Sequence, residues 1–448
     1  MPTFEWILKD VMRYLEKSVY GYVLIGLPIV IFAWALFAFS VNIPWLDDFE
    51  VGPLMLFNWL HEGNFQQKMA LLWAPNNEHR VVTLKLLTLF NYYVFGQLNI
   101  QWMIWQSHLY LIPLFCLIWR ILPKENRLFY FMPIPFLYLN FQYYLSSFWM
   151  IAAVQHNLVI GFGAISMYFL VKSKQYIWAV LFTLLASLSN SDGLFFIGIG
   201  AFILFLQYRF KELFIWLGLL VSVIFLFFWK YPSMSYHETG MAYFKLHPWT
   251  SVQGFFVFMG GAFDFWYQEQ SMFRILETAL CGMILVGILL WIFVRFVYQT
   301  GLQALVVRWR AKTLTRPDLL FVVAMLVFSL MNAVAISILR SSFGDFVYLI
   351  GNYKIYPTLA LVFVYLLVML TWRQIALRFV GVLSVMFWLF SIGNSLGDVQ
   401  ERKRMLEKDY LSIRAGGAGL GFTVGQQAKF RVAEVLKEFE SKGVYHVE

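Results

Sequence analysis

Charge is scarce in this chain. Asp, Glu, Lys and Arg make up 13% of its 448 residues, about half the share that coats an ordinary soluble domain. Cysteine is scarcer still. Cys116 and Cys281 are the only two, and each lies inside an apolar run, which excludes a disulfide framework and a cysteine metal site. The basic loops contain neither a phosphate-cradling glycine loop nor a dinucleotide fingerprint, so a soluble nucleotide-sugar or ATP substrate is not expected. Low-complexity segments and internal repeats are missing too, and with them the symmetry-related halves of many transporters. The first apolar run has no small-residue cleavage site, so it reads as a retained span, not a signal peptide.

What fills the chain instead is apolar surface: 60% hydrophobic residues, 20% aromatic residues and a mean hydropathy of +0.67. These values define an all-α polytopic membrane protein. The 34 basic and 25 acidic residues leave a net charge of +9. In such a protein this excess retains loops on the cytoplasmic side and does not signal nucleic acid. Apolar runs at 20–40, 100–122, 127–141, 151–171, 176–188, 194–207, 213–229, 276–297, 319–338, 356–370 and 379–396 give about eleven expected transmembrane helices. Most approach the length needed to cross about 30 Å of hydrocarbon at 1.5 Å per residue. The run at 127–141 is short and contains Pro133 and Pro135, so it spans only if kinked or shielded.

The basic residues orient these runs. Lys9, Arg13 and Lys17 precede the first, and Arg120, Lys124 and Arg127 follow the second, which places the N-terminus inside and the loop 41–99 outside. The segment 251–266 is assigned to the outer surface, because counting it as a span would export Arg308, Arg310, Lys312 and Arg316. The expected organisation is then a transmembrane domain over 1–397 and a small helical tail over 398–448 on the outer side. Two amphipathic helices are expected in that tail, at 401–413 and 426–440.

Against this apolar background one stretch is conspicuous. Trp45-Leu46-Asp47-Asp48-Phe49-Glu50 follows the first span, and Asn76-Asn77-Glu78-His79-Arg80 lies farther along the same loop. Carboxylates gathered just outside a span, in a chain this poor in charge, mark a candidate site. Asp192, His237, Glu238, Arg340, Asp345 and Lys354 fall on the same face in the expected topology. Each also has a structural reading. Ser189-Asn190-Ser191-Asp192-Gly193 has the composition of a turn, and His237 and His247 read as loop residues. Glu78-His79-Arg80 would suit the anchor of an interfacial helix with Val82, Leu86, Leu89 and Tyr93 at helical spacing. Arg340 closes an apolar run, where arginine can snorkel.

An Asp-Asp pair in the first outer loop, short broken middle spans and a polar outer tail resemble the glycosyltransferase C (GT-C) superfamily of integral-membrane enzymes. Asn77-Glu78-His79-Arg80, the aromatic stretch 138–149, and the segments 187–193 and 340–354 further resemble a bacterial branch tied to cell-envelope polysaccharide. The resemblance implies a polyprenyl-phosphate or polyprenyl-diphosphate sugar as donor, a glycan or lipid acceptor, and transfer at the outer face of the inner membrane, usually with inversion.

In that chemistry an acceptor hydroxyl attacks the anomeric carbon and a carboxylate takes its proton. Asp47 is the candidate base, and Asp48 would orient the acceptor or hold Mg2+ or Mn2+, if a cation is used. Glu50 and Glu78 are candidate substrate contacts, and His79, Arg80, Arg340 and Lys354 are candidate ligands of the leaving phosphate. Two other classes remain open: a flippase for a lipid-linked sugar, and a polysaccharide polymerase or ligase of another membrane fold.

Overall fold

The computed structural model describes residues 19–77, 79–172, 175–231, 235–265, 270–311, 316–371 and 377–447. Among these the chain is helical, and β pairing is limited to two isolated bridges, Asn76 with His79 and Gly419 with Phe422. Among the described residues, seven helices are long and apolar enough to cross a membrane: α1 (Val19–Phe39), α2 (Ile100–Ile121), α3 (Met150–Lys172), α4 (Phe210–Phe228), α5 (Met272–Thr300), α6 (Pro317–Leu339) and α7 (Leu377–Arg414). Shorter apolar helices lie at Val82–Phe95, Tyr176–Ser189, Ser191–Leu206 and Ile355–Thr371.

The centre is α3. Its most apolar window is 83% buried, against 17% for α5. It packs against α2, α6 and the helix Tyr176–Ser189. Its interior positions include polar residues that find partners in its neighbours: the Ser166 hydroxyl meets Thr183 Oγ1 at 2.6 Å, and Asn157 Nδ2 donates to Ser107 Oγ at 3.2 Å. The peripheral helices turn Phe37, Phe214, Ile284 and Phe293 outward. An apolar belt of this kind suits lipid and would be unsuited to water.

Close packing depends locally on small residues. The helix Pro248–Met259 crosses α5 so tightly that a Cβ on Gly260 would fall 1.8 Å from the Thr278 carbonyl oxygen. A Cβ on Gly282 would fall 1.9 Å from that of Phe256. Each glycine thus admits the other helix's backbone.

Several local features follow from single residues. The segment 127–141 forms two helical pieces, Arg127–Phe131 and Pro133–Tyr138, because Pro133 and Pro135 have no N–H to donate. The segment expected as a separate amphipathic helix at 401–413 is the end of α7, which continues unbroken through it for 38 residues. Past α7 the chain turns back through the short helices Val424–Lys429 and Val432–Ser441. The first of these is closed by a capping box of Thr423 and Gln426.

This tail lies on the loop after α1. Leu46 N–H donates to the Leu420 carbonyl at 2.9 Å and Leu98 N–H to that of Val444 at 2.7 Å. Asn42 Nδ2 donates to the His446 carbonyl at 2.6 Å and Tyr445 Oη to that of Asn42 at 2.5 Å. Phe49 and Phe57 pack against Phe422 and Phe439.

Candidate functional site

A cavity of about 520 Å3 opens between the first loop, the start of α3, the turn Ser191–Leu194, the ends of α4 and α6, and the residues before the helix Ile355–Thr371. Asp47, Asn77 and His79 line it from the first loop, and Arg340 lines it from the end of α6. Phe195, Phe227, Phe228, Ile336 and Leu339 form an apolar wall. Gln155, His156, Asp192 and Tyr356, all of them buried, give its lining a polar end, where His156 and Asp192 both meet the Tyr356 hydroxyl.

Asp47 is directed by its own backbone. Leu46 sits at φ 49°, a conformation rare outside glycine, and is held there by its N–H bond to Leu420. The Asn77 side chain, itself on a residue at φ 48°, donates to Asp47 Oδ2 at 3.1 Å. Burial pushes the Asp47 carboxyl above the usual carboxylate range, and the Asn77 bond draws it partly back. A carboxylate raised in this way and facing a cavity is suited to accept a proton.

Asp48 points the other way. Its Oδ1 accepts the Ile151 N–H at 2.7 Å and its Oδ2 accepts the Trp45 N–H at 3.1 Å, so it caps the first turn of α3. Burial raises its carboxyl to about 7, against those two N–H bonds and the nearby Arg402. Occupied by backbone donors and absent from the cavity lining, this carboxylate does not fit a Mg2+ or Mn2+ ligand. Among the described residues no three His, Cys, Asp or Glu side chains gather as a metal site would need. Glu50 is half-buried and does not line the cavity; burial and the Asp47 charge raise its carboxyl, and Lys429 opposes them. Glu78 lies outside the described residues, as do the side chains of His237 and Glu238.

The four expected cations separate into two pairs. His79 and Arg340 line the cavity, with His79 Nδ1 2.7 Å from Ser191 Oγ and the Arg340 guanidinium over Phe343. Arg80 and Lys354 do not line it. Arg80 is 1% exposed, and its guanidinium donates to the carbonyls of Trp73, Phe227 and Trp229 while stacking on Trp73. It therefore ties the first loop to the end of α4, where helix carbonyls lack partners. Lys354 Nζ is 2.8 Å from Asp264 Oδ2, and the same carboxylate accepts Arg274 Nε at 2.8 Å and Nη2 at 2.7 Å. Burial lowers the Lys354 ammonium and the Asp264 charge raises it. This buried cluster braces the turn that carries Asn352 and Tyr353 to the cavity.

The sequence reading missed this polar end. Asp192 does form a turn, but its carboxylate is also buried beside the cavity and accepts the Tyr356 hydroxyl. His156 Nδ1 lies 2.7 Å from the same hydroxyl. The available signal was Gln155-His156-Asn157 inside an otherwise apolar run, where ionisable side chains are costly.

Besides the Leu420 bond, the tail meets the site through a close contact at Leu46. A Cβ on Gly421, at φ +81°, would lie 2.2 Å from Leu46 Cδ2. If Asp47 serves a reaction in this cavity, Gly421→Val is expected to push Leu46 aside and swing Asp47, lowering kcat about 10- to 100-fold with a smaller change in KM. Gly425, with open space around its Cβ position, supplies the control substitution Gly425→Ala. Equal kcat values for the two variants at equal membrane abundance would show that the tail does not set Asp47.

Long apolar helices around a cavity with a polar end and an apolar wall define a multi-pass membrane protein with a site large enough for a small ligand. No known family model matches the chain, and no curated protein or solved structure is significantly similar to it.

Proposed function

We propose that this protein is a membrane glycosyltransferase that moves a sugar from a polyprenyl-phosphate donor to a cell-envelope glycan or lipid acceptor. In this reading the chain crosses a bacterial inner membrane eleven times, N-terminus inside and C-terminus outside, with the cavity facing outward. The observation that carries it is the shared cavity: a raised carboxylate at Asp47, cationic or polar groups at His79 and Arg340, and an apolar wall of Phe227, Phe228, Ile336 and Leu339. An amphiphile with a polar head and an isoprenoid tail matches this division.

The acceptor hydroxyl attacks the anomeric carbon as its proton passes to the Asp47 carboxylate. The bond from the anomeric carbon to the phosphate oxygen breaks, and the electron pair leaves with the lipid phosphate. Arg340 and His79 stabilise the charge developing there, more strongly in a partly dry site than in water. Asp48, Arg80 and Lys354 act as supports: they fix the start of α3, the end of α4 and the turn before the helix Ile355–Thr371.

The test uses sealed vesicles containing the full chain and a polyprenyl-phosphate sugar labelled in the sugar. Label should enter a glycan or lipid acceptor when donor and acceptor are on the outward face. Movement of intact donor between leaflets without transfer would replace the transferase reading with that of a flippase.

A further inference from the structure

Three residues that line the cavity each carry a buried polar atom with no hydrogen-bond partner in the protein: Gln155 Nε2, Asp192 Oδ1 and Asn352 Oδ1. They come from three separate elements, namely α3, the turn Ser191–Leu194, and the turn that precedes the helix Ile355–Thr371. Gln155 and Asp192 are each more than nine-tenths buried. A buried polar group left without a partner is costly, because it has given up water and gained nothing in return. Three on one cavity are hard to explain as packing accidents and are readily explained by a ligand that completes them.

Their neighbours hold them in place. Asp192 Oδ2 accepts the Tyr356 hydroxyl, which His156 also meets, so Oδ1 is the oxygen left for a ligand. Asn352 is fixed through its backbone, whose carbonyl accepts from Ser146 Oγ at 2.7 Å. The buried ion cluster of Lys354, Asp264 and Arg274 lies just beyond and braces the same turn.

The set contains two acceptors and one donor. A hydroxyl donates one hydrogen bond and accepts two, so adjacent hydroxyls on a ring can satisfy all three atoms. Charge narrows the ligand further. Arg340 is the sole Arg or Lys that lines the cavity among the described residues, and it lies at the end of α6 beside Leu339 of the apolar wall. An anionic ring beside the Asp192 carboxylate would therefore meet no Arg or Lys of the cavity lining, only the imidazoles of His79 and His156.

We propose that Gln155, Asp192 and Asn352 form a subsite that reads the transferred group, and that this group is an uncharged, hydroxyl-rich sugar ring. The proposal rests on the transferase reading, and it adds which end of the cavity holds the sugar and which sugars are rejected. The phosphate then lies towards Arg340 and His79, and the isoprenoid chain lies along Phe227, Phe228 and Ile336.

Competition binding on the full chain in lipid nanodiscs tests it, with radiolabelled farnesyl phosphate as the probe. The competitors are unlabelled farnesyl phosphate, its glucose, galactose and mannose conjugates, and its glucuronate conjugate. At least one neutral hexose conjugate should compete about tenfold better than farnesyl phosphate, and the glucuronate conjugate about tenfold worse than that hexose. Asn352→Ala and Gln155→Ala should each erase most of the hexose gain while farnesyl phosphate competes as before.

If farnesyl phosphate binds but no neutral hexose improves it, or if glucuronate binds as tightly as the best hexose, the sugar-reading subsite is overturned and the lipid-phosphate site stands. If neither farnesyl phosphate nor any conjugate binds, the transferase reading falls with it. The comparison among competitors on the parent protein requires no variant to fold.

Discussion

In the proposed transferase, replacing Asp47 by Asn is expected to lower transfer by about 10²- to 10⁴-fold, the usual contribution of a positioned general base, and to leave membrane abundance unchanged. The substitution keeps the shape of the side chain and an oxygen that can still accept from Asn77, so the loop retains its support. It removes the ability to take a proton. The same residue sets the pH profile. Its carboxyl is raised by burial, and only its deprotonated form acts as base, so kcat/KM falls as pH drops through that raised value. The acid limb therefore lies above about pH 4, where an ordinary carboxylate would place it, and disappears in Asp47→Asn. Transfer within about threefold of the parent would sink Asp47 as base. Asp192 would then be the carboxylate left in the cavity among the described residues.

Arg80→Ala gives the second large effect, and it acts on stability. The guanidinium serves three carbonyls, from Trp73, Phe227 and Trp229, in a place that is 1% exposed. Its loss strands acceptors that cost about 1–3 kcal/mol each when buried without partners, and it removes the stacking on Trp73. A stability loss of about 3–5 kcal/mol is expected, seen as a lower thermal midpoint and a smaller folded fraction in detergent. Arg80→Lys should recover little of it, because an ammonium lacks the planar fork that reaches separate acceptors. The contrary outcome, an unchanged thermal midpoint with weaker donor binding, would return Arg80 to the phosphate site that the sequence suggested.

These two residues mark what the sequence could and could not disclose. Asp47, which lines the cavity, stood out because acids are rare and this one follows a span. Its neighbour Asp48 has the same side chain in the same local composition, yet one faces the cavity and the other caps α3. The difference is made by the backbone at Leu46 and by a contact with Leu420, far away in the chain. Spacing cannot report that. Arg80 and Lys354 were visible as cations but not as partners of Phe227 and Asp264, for the same reason.

Surrounding lipid also removes a guide that works in water. In the helix Val82–Phe95 the apolar residues Leu86, Phe90 and Tyr93 face outward, while Lys85, Thr88 and Asn91 are buried. The helical periodicity was readable, but which side faced the protein was not, because a greasy face is stable against hydrocarbon. His156 and Tyr356 were hidden differently. Their meeting with Asp192 joins three stretches that the sequence treats as an apolar run, a turn and another apolar run.

The bond between Leu46 and Leu420 also bears on timing. Ribosomes make the loop beside α1 early and the segment around Leu420 late. Until that later segment is made and docked, the Leu46 amide lacks its partner and the turn that directs Asp47 lacks its brace. A half-synthesised chain thus holds the first loop without its brace, and in the proposed transferase, activity would begin only once the far end has docked on that loop.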